Sequence, residues 1–345
     1  MGLFNDRTQR DGKTGVPVWF MRQAGRYHSH YQGIKKNSDF MSMCKTPDLA
    51  IEVTMGPIRD FDFDAAILFS DLLFPLEHLG MGLKYEPGPI LDMRIETKDD
   101  LNKLKVVAPA SEFYDFQQKA CIGLRQELPK QKSLLGFVGA PWTLYSYAVE
   151  GSHSGNLTSS KLGLHDGRWD GFCNRLLPEL LAEMDIQAKG NVDAMCLFDT
   201  AAGELDVHDY KQFVLPKLRE VTKEFKKIHP NVKVIYYSKF THLHYLREIQ
   251  DSNIDVLGVD WRNDITEVLK EFSKDYMIQG NFDPSHLHLP WNILEEKLNH
   301  FFERVASSGV DMSRWIMGLG HGVLQHTPED NVRNTIKLVH DKFLY

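Results

Sequence analysis

Two arginines four residues apart, Arg22 and Arg26, end a run that is otherwise apolar or small: Pro17-Val18-Trp19-Phe20-Met21-Arg22-Gln23-Ala24-Gly25-Arg26-Tyr27. An exposed face would interleave such charges with more polar residues. A segment that enters as Val-Trp-Phe-Met and then offers Arg-x-x-x-Arg reads as a buried strand delivering two guanidinium groups to a cavity. Guanidinium stays charged at any relevant pH and grips carboxylate or phosphate as a bidentate fork. The chemistry implied is recognition of a polyanionic small molecule, with phosphate, nucleotide and polycarboxylate all open. The duller reading pairs both arginines with structural Asp or Glu, because a buried arginine needs a partner whatever its purpose.

Other polar residues follow short apolar runs. Ser70 and Asp71 follow one. Gly139-Ala140-Pro141-Trp142-Thr143, then Tyr145 and Tyr147, follow another. Asp199 and Thr200, Ser238 and Lys239, Asp260, Asn281 and Asp283, and His321 complete the set. Each has a plain structural alternative. Asp71 can cap a short helix, and for Asp199 a cap is the preferred reading. Tyr145 and Tyr147 are two apart, so on a helix only one can easily face a cavity. Lys239 reads as a Schiff-base lysine or as a rim residue reaching for water. His321 sits between glycines that permit close backbone approach and equally mark a plain loop. His28 and His30, and His242 and His244, lack a Cys or carboxylate at ligand spacing and read as surface histidines, so no metal site is expected. The four cysteines, Cys44, Cys121, Cys173 and Cys196, show no paired spacing, which fits reduced thiols in the cytoplasm.

The elements that must carry these residues alternate regularly. Candidate strands span residues 16–21, 65–69, 134–138, 194–198, 232–237, 256–259, 277–280 and 314–317, apolar on both faces as in a covered parallel sheet. Amphipathic stretches lie between them. One opens at Thr46-Pro47-Asp48, with Thr as N-cap and Pro at the first helical position. Eight strands alternating with helices predict an α/β chain folded as one (β/α)₈ TIM barrel with a parallel eight-stranded sheet, spanning 1–345 as a single domain. A doubly wound open sheet is the runner-up, but no GxGxxG follows the first strand. In a barrel the active site forms where strands end, which is where the polar residues fall. The one irregular insertion is 80–109, with a turn at Tyr85-Glu86-Pro87-Gly88-Pro89.

Of the 345 residues 42% are hydrophobic and 25% charged, ordinary for a globular enzyme. A net charge of −7 and no basic run disfavour a nucleic-acid partner. No apolar run reaches the roughly 18 residues of a membrane span. Residues 1–6 show no secretory signal.

Two long stretches of this sequence resemble signatures of the uroporphyrinogen decarboxylase family. One is Pro17 to Arg26. The other is Gly136-Phe137-Val138-Gly139-Ala140-Pro141-Trp142-Thr143-Leu144-Tyr145-Ser146-Tyr147, continuing to Glu150-Gly151. Shorter matches follow in the family's order: Leu68 to Asp71, Leu197 to Thr200, Gly258 to Trp261, Gly280 to Pro284, and Gly320-His321-Gly322. The resemblance implies a single-domain (β/α)₈ barrel, a homodimer that needs no cofactor. It implies removal of carbon dioxide from the four acetate side chains of uroporphyrinogen III, giving coproporphyrinogen III in haem biosynthesis. It assigns catalysis to Asp71, Arg22 and Tyr147. It assigns substrate binding to Arg22, Gln23, Ala24, Gly25, Arg26, Asp71, Tyr147, Thr200 and His321. Asp71 is expected to be ionised beside the arginines, its pKa held low. The chain departs from the family pattern at Lys35, where an arginine is usual, at Ala201-Ala202-Gly203 and at Gly318. A corrinoid-dependent methyltransferase of the same superfamily is a rival, disfavoured because its His-x-Cys zinc ligands are missing after the fifth strand. A non-catalytic tetrapyrrole carrier is another, disfavoured by Asp71.

Overall fold

A computed structural model describes residues 3–4 and 15–343. Part of the leader reading on residues 1–6 therefore lies outside the described residues. The strands are β1 (Ala65–Ile67), β2 (Lys84–Tyr85), β3 (Pro89–Ile90), β4 (Ser133–Gly139), β5 (Ala194–Asp199), β6 (Lys233–Ser238), β7 (Val256–Val259), β8 (Met277–Phe282) and β9 (Trp315–Leu319). Seven of them form one curled parallel sheet in the order β1-β4-β5-β6-β7-β8-β9, and β2 and β3 form a small antiparallel hairpin. Every residue of β4, β5, β7 and β9 is buried, as the two-sided apolar runs require.

The helices between the strands cover the outer face of the sheet. The Pro47–Phe61 helix begins with Pro47 in its first turn, as expected, although the Thr46 side chain makes no capping bond. Among the described residues no helix is long and apolar enough to cross a membrane.

The first expected strand, 16–21, is not a ladder strand. It forms a single parallel bridge, Val18 to Met317. The Met317 amide donates to the Pro17 carbonyl at 2.9 Å and the Trp19 amide to the Met317 carbonyl at 3.3 Å. On its other side the Asp64 amide donates to the Val18 carbonyl at 3.0 Å. The segment thus spans the gap between β9 and the start of β1. Two residues keep it from becoming a strand. Pro17 has no N–H to give. The Val18 amide donates to the Asp64 carboxylate at 2.8 Å instead of to a neighbouring strand.

Register gathers the functional side chains. Asp199 pairs with Ser238 at the ends of β5 and β6, so Thr200 and Lys239 leave the sheet side by side. Phe282 pairs with Leu319 at the ends of β8 and β9, which places His321 at the same rim.

Candidate active site

The chain leaves the bridging segment through Arg22, whose φ of 59° is left-handed. Such a backbone is rare outside glycine and costs about 1–3 kcal/mol, so the surroundings must hold it. They do. The Gln23 side-chain amide donates to the Ala65 carbonyl at 3.0 Å, the Tyr27 hydroxyl to the Gln23 carbonyl at 2.8 Å, and the Val323 amide to the Met21 carbonyl at 2.9 Å. Gly322 makes room for the arginine stem: a Cβ there would lie 2.5 Å from Arg22 Cδ. Gln23 is buried, so its side chain braces the wall, while Ala24 and Gly25 are partly exposed.

Arg22 and Arg26 are both open to solvent, and among the described residues neither has a carboxylate within 4.0 Å. The alternative of structural ion pairs does not hold. Enough protein surrounds Arg22 that desolvation lowers its pKa, with Arg26 acting in the same direction. The guanidinium remains charged.

Asp71 follows β1 and is half-buried. Its Oδ1 accepts the Leu73 amide at 2.8 Å, so the capping alternative is partly correct. Its Oδ2 accepts the Tyr85 hydroxyl. The expectation of a depressed pKa needs correction. Desolvation raises the carboxyl above its ordinary range, and the Tyr85 and Leu73 bonds only partly offset this. The counter-charges expected to hold it down are not at its side: the bonds that steady the anion come from Tyr85 and Leu73.

Tyr147, on the Pro141–Glu150 helix, lies between these groups. Desolvation pushes its pKa up to about 12, with Asp71 raising it and Arg22 lowering it. It therefore remains a phenol that can donate. Tyr145, two residues earlier, is fully buried against Trp142, Trp169 and Phe172. Only Tyr147 faces the cleft, as helical spacing requires.

Thr200 is 9% exposed, and its hydroxyl is buried with no hydrogen-bond partner. Asp199 before it is wholly internal and serves a buried network more than a cap. Its carboxylate accepts the Thr143 hydroxyl at 2.8 Å and the Tyr236 hydroxyl at 2.9 Å, and burial pushes its pKa up to about 6. His321 accepts the Gly322 amide on Nδ1 at 2.7 Å, so in the neutral ring Nε2 carries the proton. Desolvation, then Arg22, Lys239, His153 and Arg262, pushes its pKa down to about 3. The ring stacks on Trp261 at 6.4 Å. Gly320 permits this approach, since a Cβ there would lie 2.3 Å from the Trp261 amide nitrogen.

Of the other strand-end residues, Asp260, Asn281 and Asp283 are structural. Asp260 is buried, accepts the Phe240 amide at 3.1 Å and pairs with Arg262 at 2.7 Å. Asn281 donates to the Asp260 and Asn263 carbonyls, and Asp283 caps the turn at Ser285. Lys239 is partly buried, 4.3 Å over the Phe240 ring. His28 is not a surface histidine: it is 0% exposed and meets Asp60 at 2.8 Å. Lys35 is exposed at the end of the Ser29–Lys35 helix. Three residues that touch or act on these groups were not singled out from the sequence: Tyr85 on Asp71, and His153 and Arg262 on His321. Tyr85 adjoins the Pro-Gly-Pro turn of the irregular insertion, which was the only signal available for it. Among the described residues no group of three or more His, Cys, Asp or Glu is placed to hold a metal ion.

Residues 7–342 match the family model described as uroporphyrinogen decarboxylase (URO-D). The chain belongs to the uroporphyrinogen decarboxylase family. A uroporphyrinogen decarboxylase of Helicobacter pylori (strain G27) is 36% identical over 346 residues, covering 99% of each chain. That of Carboxydothermus hydrogenoformans is 33% identical over 337 residues, 96% of this chain and 94% of its own. Among solved structures, a methyltransferase from Methanosarcina mazei superposes with a TM-score of 0.74 at 15% identity, covering 95% of this chain and 94% of that one. At that identity the likeness shows a shared fold and no more. Within the uroporphyrinogen decarboxylase family fold, the arginine segment, Asp71, Tyr147, Thr200 and His321 all reach one rim of the curled sheet.

Proposed function

We propose that the protein decarboxylates the four acetate side chains of uroporphyrinogen III to methyl groups, giving coproporphyrinogen III without a cofactor. The observation that carries this reading is that one rim holds two arginines, without a carboxylate partner among the described residues, and a desolvated carboxylate held by a tyrosine. Arg22 and Arg26 grip carboxylates at the substrate edge. Each charge-assisted bond contributes about 1.5–3 kcal/mol. A phosphate site would have little use for Asp71 without a metal.

Decarboxylation needs a sink for an electron pair, and other enzymes borrow one from pyridoxal or thiamine. Here the substrate's own pyrrole serves. A proton adds to a ring carbon and makes the ring a cation. The bond from the acetate methylene to its carboxylate breaks, its electrons neutralise the ring, and carbon dioxide leaves. A proton added to the exocyclic carbon completes the methyl group, and the ring releases the first proton. Per acetate, one proton is taken up and one carbon dioxide is released. Asp71 accepts hydrogen bonds from pyrrole N–H groups and stabilises the cation electrostatically. Its desolvation fits this task, because a cation arriving beside it restores the anion's counter-charge. Tyr147 donates to a carboxylate, while the neutral His321 Nε2–H and the Thr200 hydroxyl serve other edges.

The family resemblance supports a homodimer working in the cytoplasm, and the elution volume of the purified protein tests the dimer. The reaction is tested by incubating the purified protein with anaerobically reduced uroporphyrinogen, without metal or cofactor. Coproporphyrinogen is expected, and its absence refutes the reading.

A further inference from the structure

Five basic side chains converge on one corner of the cleft: Arg22, Lys239, His153 and Arg262 all act on His321. Arg262 is matched by Asp260 at 2.7 Å. Among the described residues Arg22 and Lys239 form no ion pair with a carboxylate. Two polar atoms in the same corner are buried without a partner, Thr200 Oγ1 and His153 Nδ1. They are neighbours, because the His153 ring lies within hydrogen-bonding reach of the Thr200 backbone. That ring packs on Tyr147 at 5.2 Å, which ties it to the Pro141–Glu150 helix. Buried polar atoms are normally satisfied. Unsatisfied ones beside two cations that form no direct ion pair call for an anion with acceptor oxygens, and a carboxylate supplies two such oxygens.

We propose that His153, together with Thr200 and Lys239, holds one carboxylate of the substrate, which makes His153 a further substrate-contacting residue. It lies beyond Glu150-Gly151, where the second long signature ends. The inference rests on the decarboxylase reading and adds a corner to it. Tyr147 connects the two parts of the site, since it packs on His153 and feels Asp71.

The test uses the full chain with His153→Ala, His153→Asn and Lys239→Met. In His153→Ala the KM for uroporphyrinogen should rise about tenfold, the loss of one modest contact, and kcat should change less than KM. His153→Asn, which can place an amide near the Nδ1 position, should recover most of the loss. Lys239→Met should raise KM in the same way. Anaerobic calorimetry with coproporphyrinogen, which keeps the propionates and lacks the acetates, identifies the carboxylate. Affinity that falls with His153→Ala means a propionate; affinity that holds while the uroporphyrinogen KM rises means an acetate. If KM and coproporphyrinogen affinity both match wild type in His153→Ala, the inference is overturned. Should the wild type make no coproporphyrinogen, the reaction reading fails alone. Calorimetric binding of uroporphyrinogen then decides the corner: weaker binding by His153→Ala sustains it and equal binding overturns it.

Discussion

Replacing Tyr85 by Phe deletes one of the two donors on Asp71. The remaining ring keeps its packing against Phe40, whose centroid lies 4.5 Å away. Burial raises the Asp71 carboxyl, and the hydroxyl opposes that rise by favouring the anion. A hydrogen bond to a charged group contributes about 1.5–3 kcal/mol. Asp71 is only half-buried, so water replaces part of the lost donor. A net loss near the low end, about 1.4 kcal/mol, is one pH unit. The sign follows from the charge. Without the hydroxyl the proton binds more tightly, the Asp71 pKa rises further, and more of the enzyme is protonated in the acidic range. If turnover needs the anion, the acid limb of kcat/KM moves to higher pH by about one unit, while the plateau above it falls little. The assay is coproporphyrinogen formation at low substrate across the acidic and neutral range, under anaerobic conditions. An unmoved acid limb would refute the role given to Tyr85. A uniform drop at every pH would instead make Tyr85 a substrate contact.

Asp71→Asn should keep the melting temperature of the wild type and lower kcat by about 10²–10³-fold, as when one preorganised stabilising group is lost; near-normal turnover would refute the electrostatic role. Arg22→Lys and Arg26→Lys should each raise KM, because a point charge replaces a fork, by about tenfold per lost bond. Unchanged kinetics in both variants would mean that neither guanidinium touches substrate. Gly322→Ala sets a methyl 2.5 Å from Arg22 Cδ and should displace that side chain, so KM rises toward the Arg22→Lys value while Arg26 keeps its contacts; a wild-type KM would show that Arg22 is not seated by this loop.

The arginines stood out in the sequence because charge in an apolar run has few structural uses, and among the described residues neither forms an ion pair. The barrel alternation was legible because a covered sheet makes its strands apolar on both faces. The bridging segment misled, since its apolar residues look like any other strand's. What spoils it is Pro17 together with a carboxylate at Asp64, and only the fold brings that carboxylate to the Val18 amide. The ionisation of Asp71 was misjudged for a similar reason. Sequence order sets the arginines and Asp71 in neighbouring motifs, but the partner that steadies the carboxylate is Tyr85, reached through an insertion with no periodicity. Asp199 looked like a cap because it follows a strand. Its partner Thr143 comes from the Pro141–Glu150 helix and its partner Tyr236 from the neighbouring strand β6.

The bridge from Val18 to Met317 joins a segment near the start of the chain to the last strand, β9. Arg22 takes its left-handed turn between that bridge and the loop that carries His321 and Gly322. During synthesis on the ribosome the Arg22 segment emerges early and the loop that seats it emerges almost last. Contacts so distant along the chain form late in folding. A nascent chain therefore carries its arginines without a formed anion pocket until β9 docks, and capacity to bind the tetrapyrrole arrives with closure of the barrel as a single late event.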